Sequence, residues 1–160
     1  MMKTGTQRDR AIDLLRAKGI ARLSEFTDAG ITAATVGRMV RAGQVNHLAR
    51  GLYQLPDAPI DANHDLAEAA KRVPRGVVCL VSALAFHELT DQLPRAVWMA
   101  IGTRDWMPKE GRPEMRIVRF TDALLTDDVM TVRIESVPVK VFGVAKTIAD
   151  CFRHRRKVGQ

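Results

Sequence analysis

Gly30-Ile31-Thr32 does more to limit what this chain can become than any other three residues in it. A glycine there tolerates the positive φ that closes a helix. Thr32 can cap the next helix, its hydroxyl accepting from a free N–H in the first turn. The pattern predicts a short helix over about 21–28, a tight turn, and a second helix over about 33–42 that Gly43 stops. Wound at about 100° per residue, the second helix gathers Ala33, Val36, Met39 and Val40 on one apolar stripe. Ala34, Arg38 and Arg41 fall on the opposite side. The stripe requires a core beneath it, which leaves the two guanidinium groups free to reach outward.

Val45–Leu48 and Leu52–Leu55 then read as the strands of a hairpin turned at Ala49-Arg50-Gly51, with His47 and Tyr53 as structural parts of it. Upstream, Thr6–Lys18 reads as a helix. Thr6 and Asp9 resemble a capping box in which Asp replaces the usual Glu, Ala11, Ile12, Leu14 and Leu15 supply the buried face, and Gly19 is the stop. Ile20 can form a short strand against the hairpin. Three helices followed by a hairpin with a basic tip make a winged helix-turn-helix. In that arrangement the second helix of the pair enters the major groove and the wing touches backbone or minor groove.

Pro56-Asp57-Ala58-Pro59 is the clearest boundary, since two prolines around a small polar spacer neither continue a ladder nor start a helix between them. The expected domains are 1–57, a winged helix-turn-helix, and 58–160, a small mixed α/β domain, making the chain α+β. In the second domain, Asp61 reads as the N-cap of a helix reaching about Val73. Val77–Cys79 favours strand, and Ser82 reads as the cap of a helix through Leu89. Strands are expected at Ala96–Ile101, Met115–Phe120, Val129–Glu135 and Val137–Phe142, the last two broken near Ser136. A final helix from near Gly143 places Val144, Ile148, Cys151 and Phe152 on its apolar face and ends in Arg153-His154-Arg155-Arg156-Lys157.

At 160 residues, 46% hydrophobic and 27% charged, the composition is that of a globular chain with a real core. Its formal charge of +7 favours an anionic partner, of which nucleic acid is the commonest. Residues 1–57 hold nine Lys/Arg against five Asp/Glu, a balance of +4. Residues 58–160 hold 16 against 13, and four of those cations are Arg153, Arg155, Arg156 and Lys157. The second domain is thus near-neutral with a basic end. The polar N-terminus has no signal-peptide pattern, and the most apolar run, Val77–Phe86, is too short to span a bilayer. Cys79 and Cys151 lack metal spacing and read as buried, reduced thiols. The expectation is a soluble cytoplasmic protein with no membrane association.

The candidate DNA contacts are Arg38 and Arg41, because an exposed arginine on such a helix can bond two acceptors of guanine, a contact worth about 1–3 kcal/mol of discrimination. Thr32, Ala34 and Thr35 in the first turn could meet phosphate or a thymine methyl, and Arg50 at the hairpin tip phosphate or the minor groove. Signals for catalysis are weak. His87-Glu88-x-x-Asp91 lacks a second histidine and a further ligand, His64 with Asp65 and Glu68 reads as a solvated helix face, and Cys151 with His154 lacks a third group. No phosphate-binding glycine loop is present. No catalytic residue, metal or cofactor is expected.

Leu48-Ala49-Arg50-Gly51-Leu52-Tyr53, the stretch Leu80–Ile101 and the stretch Ala145–Gly159 together make the chain resemble the AbiEi-type antitoxins of type IV toxin–antitoxin (abortive infection) systems. The resemblance runs over nearly the whole chain. It implies an N-terminal winged helix and a C-terminal antitoxin domain. It further implies binding to inverted repeats in double-stranded promoter DNA, repression of the protein's own operon and neutralisation of a nucleotidyltransferase-like toxin. Carried onto this sequence, DNA contact falls to Arg38, Arg41 and Arg50, and the partner-binding surface to Arg153, Arg155, Arg156 and Lys157. Family members typically continue past that basic motif, so the short C-terminus is expected of a truncated copy. Two other functions fit less of the pattern: an ordinary winged-helix transcription factor with a ligand-sensing or dimerising C-terminal domain, and a DNA-targeted nuclease.

Overall fold

The computed structural model describes residues 5–158; the first four residues and Gly159 of the last quoted stretch lie outside them. Helix α1 (Gln7–Lys18) begins at a true capping box, with Thr6 accepting from the Asp9 N–H and the Asp9 carboxylate accepting from the Thr6 N–H. Gly19 turns the chain into strand β1 (Ile20–Arg22), which takes the first residues expected of the next helix; α2 is accordingly short, Leu23–Asp28. Helix α3 spans Ala33–Arg41, capped by Thr32. Strands β2 (Asn46–Ala49) and β3 (Leu52–Gln54) form the hairpin, and β1 adds to it antiparallel, giving the order β1-β3-β2.

This three-stranded sheet has two occupied faces, and strand alternation explains how. Ala21 packs with Ala11, Leu15, Phe26, Ile31, Val36, Met39 and Val45 in the N-terminal core, with Tyr53 partly buried against it. One residue away on each strand, Ile20 and Leu52 point the other way and join a second core with Leu66, Ala67 and Ala69. Successive side chains on a strand face opposite sides, so β1 and β3 serve both cores at once.

Helix α4 (His64–Arg72) starts three residues after Asp61, whose carboxylate accepts from the Asn63 N–H at 2.8 Å in a turn before the helix. Both tendencies of the Val77–Leu89 segment are realised: β4 takes Val77–Val78 and α5 takes Leu80–Phe86. Ser82 is no cap. Its buried hydroxyl accepts from the Trp98 N–H at 2.8 Å and ties α5 to the next strand. Strands β5 (Val97–Gly102), β6 (Met115–Phe120), β7 (Val129–Ile134) and β8 (Val137–Phe142) complete a mixed sheet of order β6-β5-β4-β8-β7. Glu135 and Ser136 both have positive φ in the two-residue β7–β8 turn, as a primed hairpin turn requires.

One face of this sheet (Val78, Val97, Met99, Ile101, Val137, Val139, Val141) packs on α4. The other (Val77, Ala100, Val118, Phe120, Phe142) lies under α6 (Asp122–Leu125) and α7 (Val144–Arg153), after which α8 (Arg155–Val158) ends the described chain. The protein is therefore mixed α and β. Helix α7 sits in an unusual sense. Its apolar stripe does not face the core: Val144, Ile148 and Phe152 are 45%, 42% and 70% exposed, while Lys146, Thr147 and Asp150 are buried. The reason is a pairing that a hydrophobicity pattern cannot register. Lys146 Nζ meets Asp150 Oδ2 at 3.0 Å and lies 5.1 and 4.7 Å from the ring centres of Phe120 and Phe142. Neutralised by the carboxylate and resting on two aromatic faces, the ammonium is tolerated inside.

A candidate nucleic-acid interface

Helix α3 owes its position to α1 as much as to its own stripe. Val36 and Met39 are buried and Val40 packs beside them, whereas Ala33, expected on that stripe, is exposed. The turn before α3 is pinned by two α1 side chains that sequence reading passed over. Gln7 Oε1 accepts from the Thr32 N–H at 3.0 Å and from the Thr35 hydroxyl at 2.8 Å. The Arg10 guanidinium donates to the Ala29 carbonyl at 3.0 Å, just before Gly30 at φ 81°. Their signal in the sequence is faint: a polar side chain on a first helix, about 25 residues from what it holds.

On this platform Arg38 and Arg41 are both exposed. Arg38 is also steadied: its Nη2 donates to Thr35 Oγ1 at 3.1 Å. Thr35 itself is only 8% exposed, and its hydroxyl is engaged by Gln7, by Thr32 at 2.9 Å and by Arg38. Thr32 and Ala34 remain exposed in the first turn. Arg8, whose Nε donates to Gln44 Oε1 at 3.0 Å, joins Arg38 on the rim of a shallow cleft between α1 and α3. At the hairpin, Arg50 is exposed beside Gly51 at φ 74°. Tyr53 stands edge-on to Phe26 with ring centres 5.7 Å apart, and His47 stacks on Tyr53 at 5.0 Å, so both rings brace the hairpin.

The stretch that builds this platform, residues 9–56, matches the family described as transcriptional regulator, AbiEi antitoxin. Over those residues the chain is similar to that family. The match runs from the first turn of α1 to just past β3, and ends before the two later stretches, Leu80–Ile101 and Ala145–Gly159, that also suggested the family. No curated protein matches the chain. The matched segment thus contains Arg38, Arg41 and Arg50, together with Arg10, Thr32 and Thr35; Gln7 lies two residues before it.

Elsewhere the side chains weighed for chemistry are otherwise engaged. His64 is not on a solvated face. Its Nδ1 lies 2.8 Å from Glu135 Oε1 and its Nε2 2.8 Å from Glu68 Oε1. Burial pulls the His64 pKa down, but the bonds to Glu135 and Glu68 outweigh it and leave it raised. Glu135 also accepts from Gln54 Nε2 at 2.5 Å and from the Asp61 N–H at 3.0 Å, so this cluster joins the β3 end to α4 and the β7–β8 turn. His87 Nε2 is 2.8 Å from the Phe142 carbonyl oxygen. Burial raises both thiols: Cys79 well above its ordinary value, and Cys151 with help from Asp150. A raised pKa opposes thiolate chemistry. Among the described residues no three His, Cys, Asp or Glu side chains converge as a metal site, and no helix is long and apolar enough to cross a membrane. Arg153, Arg155, Arg156 and Lys157 are all exposed at the end of α7 and in α8.

Proposed function

We propose that this protein is a non-enzymatic, cytoplasmic DNA-binding antitoxin that represses its own operon, residues 1–57 forming a winged helix-turn-helix and 58–160 the antitoxin domain. The observation that carries the reading is α3 itself. Two arginines project from a helix whose preceding turn is clamped by Gln7 and Arg10, within a segment that matches the AbiEi antitoxin regulators. A base-reading side chain has to be held before it meets DNA, and Arg38, steadied by Thr35, is so held.

Arg38 and Arg41 read base edges in the major groove of an inverted repeat, Thr32 and Ala34 meet phosphate or a thymine methyl, Thr35 positions Arg38, and Arg50 holds backbone. The second domain, with Arg153, Arg155, Arg156 and Lys157 at its basic end, faces a protein partner: a nucleotidyltransferase-like toxin or a neighbouring copy.

Fluorescence anisotropy with the chain's own promoter and a scrambled duplex tests the division of labour. Arg38→Ala should cost about 1–3 kcal/mol on the promoter and little on the scrambled duplex. Arg50→Ala should weaken both alike and lower the salt slope by about one counterion. Equal losses on both duplexes for Arg38→Ala would overturn the base-reading role.

A further inference from the structure

Helix α7 presents its apolar side to solvent, and the arrangement of charge around that side names its occupant. Val144, Ala145, Ile148, Ala149 and Phe152 are all exposed. They stand at i, i+1, i+4, i+5 and i+8, one continuous stripe along about 12 Å of helix. The two alanines leave room for another backbone to approach closely. The opposite side is fully used: Lys146, Thr147 and Asp150 are buried against the sheet. The stripe is therefore surplus to the fold of a single chain, and a contiguous apolar patch of this kind marks a contact surface.

Its two ends carry opposite charge. Beyond Phe152 stand Arg153, Arg155, Arg156 and Lys157, all exposed. At the other end Asp128 is exposed at the helix N-terminus, where its Oδ2 accepts from the Lys146 N–H at 3.3 Å and its carbonyl accepts from the Gly143 N–H at 2.7 Å, and Asp127, next to it in the chain, is exposed as well.

We infer that the α7 stripe is a self-association surface, on which a second copy of this chain docks its own α7 antiparallel about a two-fold axis near Ile148. That axis sets Ile148 against Ile148, Val144 against Phe152, and the basic end of each copy against the acidic end of the other. A parallel pairing would set four cations against four. The same patch on both subunits is what a two-fold interface requires, and self-complementary charge is what makes it closed. This deepens the reading of the second domain as the half that faces a protein, choosing the neighbouring copy. It needs nothing from α3, so its failure and that of DNA binding are separable. One pair of three-turn helices buries less than the ~1,200 Å² of a standard interface, so the free protein should dimerise weakly, with a Kd between about 1 µM and 1 mM.

Sedimentation equilibrium on the full chain over that range should show the weight-average mass rising from 17.8 kDa toward twice that value. Ile148→Glu, which would face its own copy across the axis, and Phe152→Glu should each raise Kd at least about tenfold while leaving the melting curve of the monomer in place. The deciding variant exchanges charge. Arg156→Glu alone and Asp127→Lys alone should each weaken the dimer about three- to tenfold, and the two together on one chain should restore it, since the pair re-forms across the axis with its signs reversed. A mass that stays monomeric throughout the range overturns the proposal. So does an association that Ile148→Glu leaves intact, or a double charge exchange that is no better than the single ones. Promoter binding by the Ile148→Glu chain at a single half-site should equal that of the unaltered protein, showing that the loss lies in α7 alone.

Discussion

Helices α3 and α7 are both amphipathic and of nearly equal length, nine and ten residues, yet they settle in opposite senses. In α3 the apolar side goes inward, with Val36 and Met39 under the helix and Arg38 and Arg41 in solvent. In α7 a lysine, a threonine and an aspartate go inward, and valine, isoleucine and phenylalanine are left outside. Periodicity tells that a helix has two sides; it does not tell which side the rest of the chain can receive. For α3 the surface that receives Val36 and Met39 is apolar, with Gln7 at its edge to take the Thr35 hydroxyl. For α7 it includes the faces of Phe120 and Phe142, which accept an ammonium, and the carboxylate four residues along neutralises it.

The sharpest way to break the contrast is to remove one member of the α7 pair. Asp150→Ala leaves Lys146 buried with its charge unmatched, and should destabilise the protein by about 3–5 kcal/mol in urea unfolding. Lys146→Met with Asp150→Leu in the same chain should recover most of that loss, because an apolar pair of similar volume has no charge to desolvate. If the double replacement is as damaging as the single one, the ion pair is not what turns the helix over, and the contrast with α3 needs another cause.

Next in size is a direct comparison of the two stripes. Met39→Ala, at a side chain 3% exposed, should cost about 2–5 kcal/mol. Ile148→Ala, at one 42% exposed, should move the stability of the monomer by less than about 0.5 kcal/mol. Chemical denaturation of both variants at low protein concentration reads the difference. Comparable losses would mean that the outer side of α7 is covered within the single chain.

What could be read from sequence divides along the same line. Features whose cause lies within a few residues were legible: the Thr6–Asp9 capping box, the Thr32 cap, the hairpin around Arg50, and the strands Met115–Phe120 and Val137–Phe142 at their full extent. So was the exposure of Arg38 and Arg41, because Val36 and Met39 on the other side of α3 meet an ordinary core. Features whose cause is distant in the chain were not. Gln7 holds a threonine 28 residues on, and His64 sits against Glu135, 71 residues away, where a solvated face was expected. The inward turn of Lys146 depends on rings contributed by β6 and β8. Nothing near Ile20 and Leu52 in sequence shows that their side chains serve the second core, since the residues that receive them belong to α4.

That shared seam, where the body that carries α3 meets the body that carries α7, gives the smallest effect and a test with two opposite signs. Gly19, at φ 75°, lies so close to the Glu135 carbonyl oxygen that a Cβ would overlap it, so the bodies touch backbone to backbone there. Two ionic groups flank the contact. Burial pushes the Glu25 carboxyl up, but Lys71 at 2.6 Å, the Arg22 N–H and Lys18 at 3.0 Å bring it down from 4.5 to about 2. A lowered carboxylate contributes stability that is complete above its unfolded value near 4.5 and is lost as pH falls through about 2. His64 is the reverse. Its raised pKa contributes stability that is complete below its unfolded value near 6.5 and is lost as pH rises through the higher, folded value. The seam should hold best between about pH 4.5 and 6.5. Glu25→Gln should flatten the acid limb of a stability–pH curve, by on the order of 1 kcal/mol once solvent screening is allowed for, and leave the alkaline limb alone. His64→Gln should flatten only the alkaline limb. If either variant flattens both limbs, the two groups act as one unit and the seam is a single coupled network. If neither variant changes the curve, the bodies are joined by Ile20, Leu52 and the helix they pack on, with the charges as bystanders.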